Sequence, residues 1–288
     1  MPLPEIARVL RPTALEWIHM IKVSASVRTY LVFVAITSAL VGGSLYAVPT
    51  WSVAFWPYSM RPLATQMFAS LFLAVALAAG LALRVSRLYS LRILLIQGAA
   101  ISGLILLAAV PSYLPPSHPS LGAFAWLTLF TIYSAGSVVL LLAIRSTAET
   151  AVSADSMLRL IPKALKICLL LHTVIVVIFG LQMLTLPDLA LNFWPWKVSA
   201  NIMRGLGGLF VGVTVGSGWA YLQKYWEDIR AVFPSYTAFA TLVLLAVGLH
   251  WDVITAESPG LQVTVIWIIL YIFTALYPAY FYLQLEKR

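Results

Sequence analysis

Six ionisable side chains that fall near the ends of apolar runs are the residues whose types could do chemistry: Asp188, Lys197, Arg204, His250, Asp252 and Glu257. An acid or an imidazole beside a guanidinium would suit acid–base work on a lipid-linked substrate, which requires Asp188, His250 or Asp252 to converge with Arg204. Lys197 and Arg204 alone would suit a polar or anionic headgroup. Trp194 and Trp196, in the same loop, offer either an aromatic lip for a ligand or an anchor at headgroup depth, where indole rings prefer to sit. Ordinary surface ion pairing would produce the same set of charges.

The remaining reactive groups point to less. Of four histidines, His19 and His118 fall in loops, while His172 and His250 sit about 20 Å apart along the helix direction at 1.5 Å per residue. No pair can ligate one haem, and His172 is expected to be a hydrogen-bonded histidine inside the bundle. The single cysteine, Cys168, excludes an intrachain disulfide and a cysteine metal motif. No G-x-S-x-G, H-E-x-x-H or phosphate-binding glycine loop occurs, so no catalytic residue, metal or cofactor is nominated.

The elements that must position these residues follow from composition. Of 288 residues, 61% are hydrophobic and 10% charged, against about 45–50% and 25% in a soluble domain. With a mean hydropathy of +0.94, there is too little polar surface to cover a water-soluble globule. Apolar stretches long enough to cross about 30 Å of hydrocarbon recur at Tyr30–Val48, Pro62–Leu83, Ile93–Val110, Leu121–Ile144, Ile167–Leu186, Ile202–Leu222, Val232–His250 and Leu261–Leu283. The expected fold is therefore all-α, a polytopic transmembrane bundle of eight spans, because lipid-exposed backbone must satisfy its own hydrogen bonds. None of these stretches contains an acid, which argues against proton- or sodium-coupled transport.

The net charge of +8 reflects orientation signals, so no nucleic-acid partner is expected. Fifteen of the 18 Lys and Arg residues fall before the first span, after the last, or in alternate loops, leaving Arg61, Lys197 and Arg204 on the other side. That asymmetry predicts a plasma membrane protein with both termini cytoplasmic. The first span follows a long amphipathic preamble and exceeds the usual core of a signal peptide, so it is read as a retained helix.

One constant offset, the one that carries Phe55 onto Phe193, aligns the two halves of the chain without a gap. It pairs Phe55-Trp56-Pro57 with Phe193-Trp194-Pro195, Gly42 with Gly180, Pro49 with Pro187, Gly80 with Gly218 and Arg92 with Arg230. Two parallel four-helix repeats are expected, divided as a preamble (1–28), a first half (29–145), a cytoplasmic linker (146–166) and a second half (167–288). The same offset places Gly208, Gly212 and Gly216 on Ser70, Ala74 and Ala78. Both are small-residue ridges that allow close helix approach, which suggests that the second and sixth spans meet near the pseudo-two-fold axis.

The stretch Phe193–Gly218, in which FWPW leads into a Gly/Ala-rich span, resembles a group of uncharacterised bacterial polytopic membrane proteins with an FWPW-type signature. Phe55–Gly80 is similar, with Tyr58 where the second half has Trp196. The resemblance covers about a quarter of the chain. It implies a membrane fold in a bacterial inner membrane and brings no activity or site residues with it.

The function expected from these features is non-catalytic: an accessory or scaffolding subunit, or a binder of lipid-like ligands. Its partners would be membrane lipids and, for an accessory subunit, other membrane proteins. A carrier or flippase-like transporter using the cleft between the halves is the alternative, followed by an enzyme acting on lipid-linked substrates at the outer interface.

Overall fold

The computed structural model describes residues 25–51, 60–84, 89–113, 121–148 and 159–287. Within them the fold is all-helical. The eight long helices are α1 (Ala25–Ala47), α2 (Pro62–Ala82), α3 (Arg92–Tyr113), α4 (Leu121–Ala148), α5 (Lys163–Thr185), α6 (Ala200–Leu222), α7 (Phe233–Leu249) and α8 (Leu261–Glu286). Each of the eight, α7 together with the turn that precedes it, is long and apolar enough to cross a bilayer. Two short helices, Pro187–Ala190 and Trp251–Glu257, lie between them.

Local chemistry sets several of the ends. Pro62 occupies the first turn of α2, where its missing N–H has no partner to lose. Ser199 caps α6, its hydroxyl accepting the amide of Ile202 at 3.3 Å. Several helices outrun the apolar stretches read from sequence: α5 starts at Lys163 rather than Ile167, and α8 continues to Glu286 rather than Leu283. Backbone hydrogen bonding does not stop where hydrophobicity stops, and charged residues are good helix formers. The preamble before residue 25, much of the linker, and the loop holding Phe55, Trp56, Pro57 and Tyr58 lie outside the described residues, as do His19 and His118.

Helices pack in pairs, α1 along α2, α3 along α4, α5 along α6 and α7 along α8, and the pairs are joined by α2 against α7 and α3 against α6. The most enclosed helices are α2 and α6, with 72% and 67% of their apolar stretches buried against 17% for α4. Their small residues follow from that placement, since an inner helix must admit neighbours on several sides.

The ridge on α6 has a different partner from the one expected. A Cβ added at Gly208 would come within 2.9 Å of the Leu104 carbonyl oxygen, one at Gly212 within 2.6 Å of Ile101 Cα, and one at Gly216 within 2.7 Å of Gln97 Oε1. The ridge is the seat of α3, not of α2. On α2, Ser70 donates to the Gln66 carbonyl at 2.7 Å, and Ala74 and Ala78 are buried on the helix that packs along α7. Helix α2 comes near α6 where Phe68 would lie 3.5 Å from a Cβ on Gly205. The pattern of small residues marks where backbones come close, but it does not say which backbone arrives.

Candidate functional site

Three places among the described residues gather polar groups. The first is the end of the bundle formed by the C-terminus of α1, the N-terminus of α2, the loop 186–199 and the segment 250–260. There His250 Nε2 lies 3.0 Å from Gln66 Oε1, and Gln66 Nε2 donates to the Tyr46 carbonyl at 3.0 Å. Glu257 takes the Arg61 guanidinium in an ion pair and the Lys197 backbone amide at 3.2 Å. Arg61 shares this end with Lys197 and Arg204, and its acidic partner sits 196 residues away in the chain.

Among the described residues no ion pair joins the acid–base set suggested by the sequence. Arg204 is half-buried and donates to Asn201 Oδ1 at 3.2 Å, one turn earlier on its own helix. Among the described residues no salt bridge joins it to Asp188, the partner favoured from sequence, or to Asp252; both acids are exposed. No group of three His, Cys, Asp or Glu side chains comes together for a metal among the described residues.

The tryptophans are also placed otherwise than expected. Trp194 and Trp196 are buried, 1% and 3% exposed, so both rings are covered by other residues of the protein. Their rings pack edge-on at 4.7 Å, Trp194 meets Trp267 at the same separation, and the Trp267 indole donates to the Phe193 carbonyl at 2.7 Å. The loop thus folds inward as an aromatic plug between α6 and α8. Its exposed members include Leu189 and Phe193.

The second place was not found from sequence. A cavity of ≈130 Å³ lies among the helices, and all eight contribute to its wall. Leu71 and Val75 of α2 face it, as do Leu209 and Val213 of α6, which occupy the same positions in the repeat register. So do Tyr133 of α4 and Tyr271 of α8, a pair related by the same offset. The wall is largely apolar, and no described lining residue is charged.

Its few polar groups differ in how they are satisfied. Tyr133 hydroxyl bonds Thr37 Oγ1 at 2.6 Å and Ser38 Oγ at 2.9 Å, and Tyr30 hydroxyl bonds Ser137 Oγ at 2.9 Å and donates to the Tyr133 carbonyl at 2.8 Å. Tyr236 donates to Gln97 Oε1 at 3.1 Å. His172 contradicts the sequence expectation of a hydrogen-bonded core histidine: it is 2% exposed, and its Nδ1 has no partner among the described residues. Its ring rests between Tyr236 and Tyr277, with centroids at 6.0 and 5.7 Å.

The opposite end of the bundle holds a charged knot. Glu227, 8% exposed, accepts Arg159 Nε at 2.8 Å and the Arg159 amide at 3.0 Å. Glu286 collects the Trp226 indole N–H at 2.9 Å and Arg230 at 3.3 Å, and Arg159 also donates to the Leu285 carbonyl. This ties residue 159, the α6–α7 turn and the end of α8 together, which is a structural task.

No known family model matches this chain, and no curated protein or solved structure is similar to it. The reading of function therefore rests on the site alone. The signal that could have located the cavity was already in the repeat register, because Leu71, Val75 and Tyr133 each have an identical residue at the matching position.

Proposed function

We propose that this is a multi-pass membrane protein of two parallel four-helix halves, and that its work is to hold a lipid-like, apolar ligand between them. The observation that carries the reading is the uncharged cavity to which all eight long helices contribute. Concave, mostly apolar sites with a few fixed polar groups are the usual form of a small-molecule site.

Two features support the membrane and repeat parts of the proposal. Large apolar side chains such as Leu40, Leu107, Leu142, Ile269 and Leu276 point outward on several helices, far more apolar surface than a soluble monomer exposes. One close helix contact also recurs at the same offset, which supports the repeat. A Cβ on Gly42 would meet Leu73 N at 2.9 Å and Phe72 Cβ at 2.9 Å, and one on Gly180 would meet Val211 N at 2.9 Å and Phe210 Cβ at 3.0 Å, the two sets being related by the repeat offset. The Lys and Arg distribution supports a cytoplasmic side at the end carrying Arg92, Lys163, Arg230 and Lys287.

A carrier is the second reading. It draws on Gln66–His250 and Arg61–Glu257, which close the non-cytoplasmic end by contacts between the halves. Parallel duplicated halves are a known basis for alternating access.

The test is purification of the whole chain in mild detergent, followed by solvent extraction and mass spectrometry of what accompanies it. A defined apolar small molecule is expected with the wild type and lost on Val75→Phe, which fills the cavity wall. Protein that carries nothing above the level of the variant would remove the binding reading. A substrate that instead exchanges across sealed proteoliposomes would favour the carrier.

A further inference from the structure

Among the described residues, contacts between the long helices close into a ring that runs α1, α2, α7, α8, α5, α6, α3, α4 and back to α1. All eight line the cavity. Two joints of the ring are light, α4 on α1 and α8 on α5, and the repeat offset carries one onto the other. At the second, the same two helices face the cavity and the outside: Val176 and Tyr271 line the space, while Leu171, Ile175, Ile272 and Leu276 are exposed.

The two joints are fastened differently. At α4 on α1, the Tyr133 hydroxyl bonds Thr37 and Ser38, and the Tyr30 hydroxyl bonds Ser137 and the Tyr133 carbonyl. The Tyr30 ring also lies so close to Gly136 that an added Cβ would come within 2.5 Å of it. At α8 on α5, Tyr271 stands for Tyr133, but Ile175 and Val176 stand for Thr37 and Ser38, Cys168 for Tyr30, and Ala275 for Ser137. No hydrogen bond joins α5 to α8 among the described residues: Thr173 bonds Ser217 of α6, and Thr274 donates to Leu270 of its own helix. Ring packing holds this joint, with Phe179 and Trp267 centroids at 5.2 Å and His172 and Tyr277 centroids at 5.7 Å.

The helix itself is weakened at the same place. Pro278 sits inside α8, where α4 has Leu140. Lacking an N–H, it cannot bond the Thr274 carbonyl one turn back, and helices bend most readily at such a residue.

We infer that the ligand enters and leaves the cavity sideways from the bilayer, between α5 and α8, with α8 bending at Pro278 while α1 and α4 stay latched. This rests on the binding reading above and adds its route. An apolar molecule dissolved among acyl chains then reaches an uncharged space without crossing water or the polar contacts at either end of the bundle.

The first measurement uses the whole chain in phosphatidylcholine nanodiscs on a Cys168→Ser background. Nitroxide pairs are attached at Leu171→Cys with Leu276→Cys, and at the equivalent Phe33→Cys with Val138→Cys, all four being exposed places. Double electron–electron resonance is expected to give a broad or two-peaked distance across α5 and α8 and a single narrow one across α1 and α4. A distribution across α5 and α8 no wider than the other would overturn the inference.

The second measurement follows fluorobenzene, a probe of the size that an apolar cavity of about 150 Å³ accepts, by 19F exchange NMR in detergent micelles, with protein-free micelles as the blank. Ile175→Thr combined with Val176→Ser gives Tyr271 the partners that Tyr133 has. Exchange into the cavity is expected to slow about tenfold in that variant, or about 1.4 kcal/mol on the barrier. Pro278→Leu, the residue at the matching place in α4, should slow it as well and serves if the double variant fails to fold. Exchange as fast as wild type in the variants that fold would overturn the route and leave the binding reading standing. No fluorobenzene above the blank would remove both.

Discussion

His250 and Gln66 face each other at 3.0 Å across the two halves of the chain, and Gln66 simultaneously donates to the Tyr46 carbonyl. That second bond decides the first. With its amide nitrogen committed to Tyr46, Gln66 presents only an acceptor to His250, which must carry its proton on Nε2. Tyr46 is in the last turn of α1, where carbonyls have no intrahelical partner, so one side chain both caps a helix and joins the halves.

Removing that side chain should be felt twice. Gln66→Leu is expected to cost about 1–3 kcal/mol, because the half-buried His250 N–H and a helix-end carbonyl both lose their partner. A thermal midpoint in detergent indistinguishable from wild type would contradict the assignment.

Arg204 occupies the place equivalent to Gln66 and should tolerate its replacement. Its guanidinium donates to Asn201 at 3.2 Å and enters no salt bridge among the described residues. Arg204→Gln is expected to leave folding intact, within about 0.5 kcal/mol. Loss of folded protein on size-exclusion chromatography would show the charge to be a strut.

Two glycine-to-alanine changes should have opposite signs. At Gly212 the new Cβ would fall 2.6 Å from Ile101 Cα, backbone that cannot swing aside, so Gly212→Ala should destabilise by about 1–3 kcal/mol through overpacking. At Gly248 nothing lies within 4 Å, and Gly248→Ala should be neutral or gain up to about 1 kcal/mol from helix propensity. Comparing the two thermal midpoints tests the α3–α6 contact; equal effects would count against it.

The ion pairs of the two ends should differ in weight. Arg159→Gln leaves the largely buried Glu227 without its charged partner and should cost about 2–3 kcal/mol. Arg61 is 53% exposed beside Glu257, and Arg61→Ala should change stability by less than about 1 kcal/mol. Salt should weaken only the second pair; a matching salt response in both would mean the first is hydrated too.

Orientation is testable with single cysteines. In a Cys168→Ser background, Asp252→Cys and Lys287→Cys place exposed thiols at opposite ends of the bundle. A membrane-impermeant maleimide added to spheroplasts should label the first and spare the second, with the reverse in inverted vesicles. Labelling of both from one side would refute the proposed topology.

Much of the helical framework was legible because it is written in one dimension. Long runs of apolar residues, breaks at Pro62 and Pro187, and the serine before α6 each act within a few turns of chain. Where expectations went astray, the deciding contact was distant. Trp194 looked like an anchor from its type and its loop, yet it is buried against Trp267, which arrives on the third long helix after that loop. Arg204 and Asp188 looked like a pair because one loop leads from the acid to the helix that carries the arginine, but proximity in sequence did not bring their side chains together.

What the sequence alone determined is the set of eight apolar helices and the positions where their backbones can approach closely, because helix length and residue size are properties of each segment by itself. What the tertiary structure decided is the partner of each polar group between them: Glu257 for Arg61, His250 for Gln66, and an Nδ1 of His172 left unpaired among the described residues. Each step along a helix turns a side chain by about 100°. The neighbour it meets therefore depends on the rotation and packing of all the helices at once, and that is also what leaves a cavity between them.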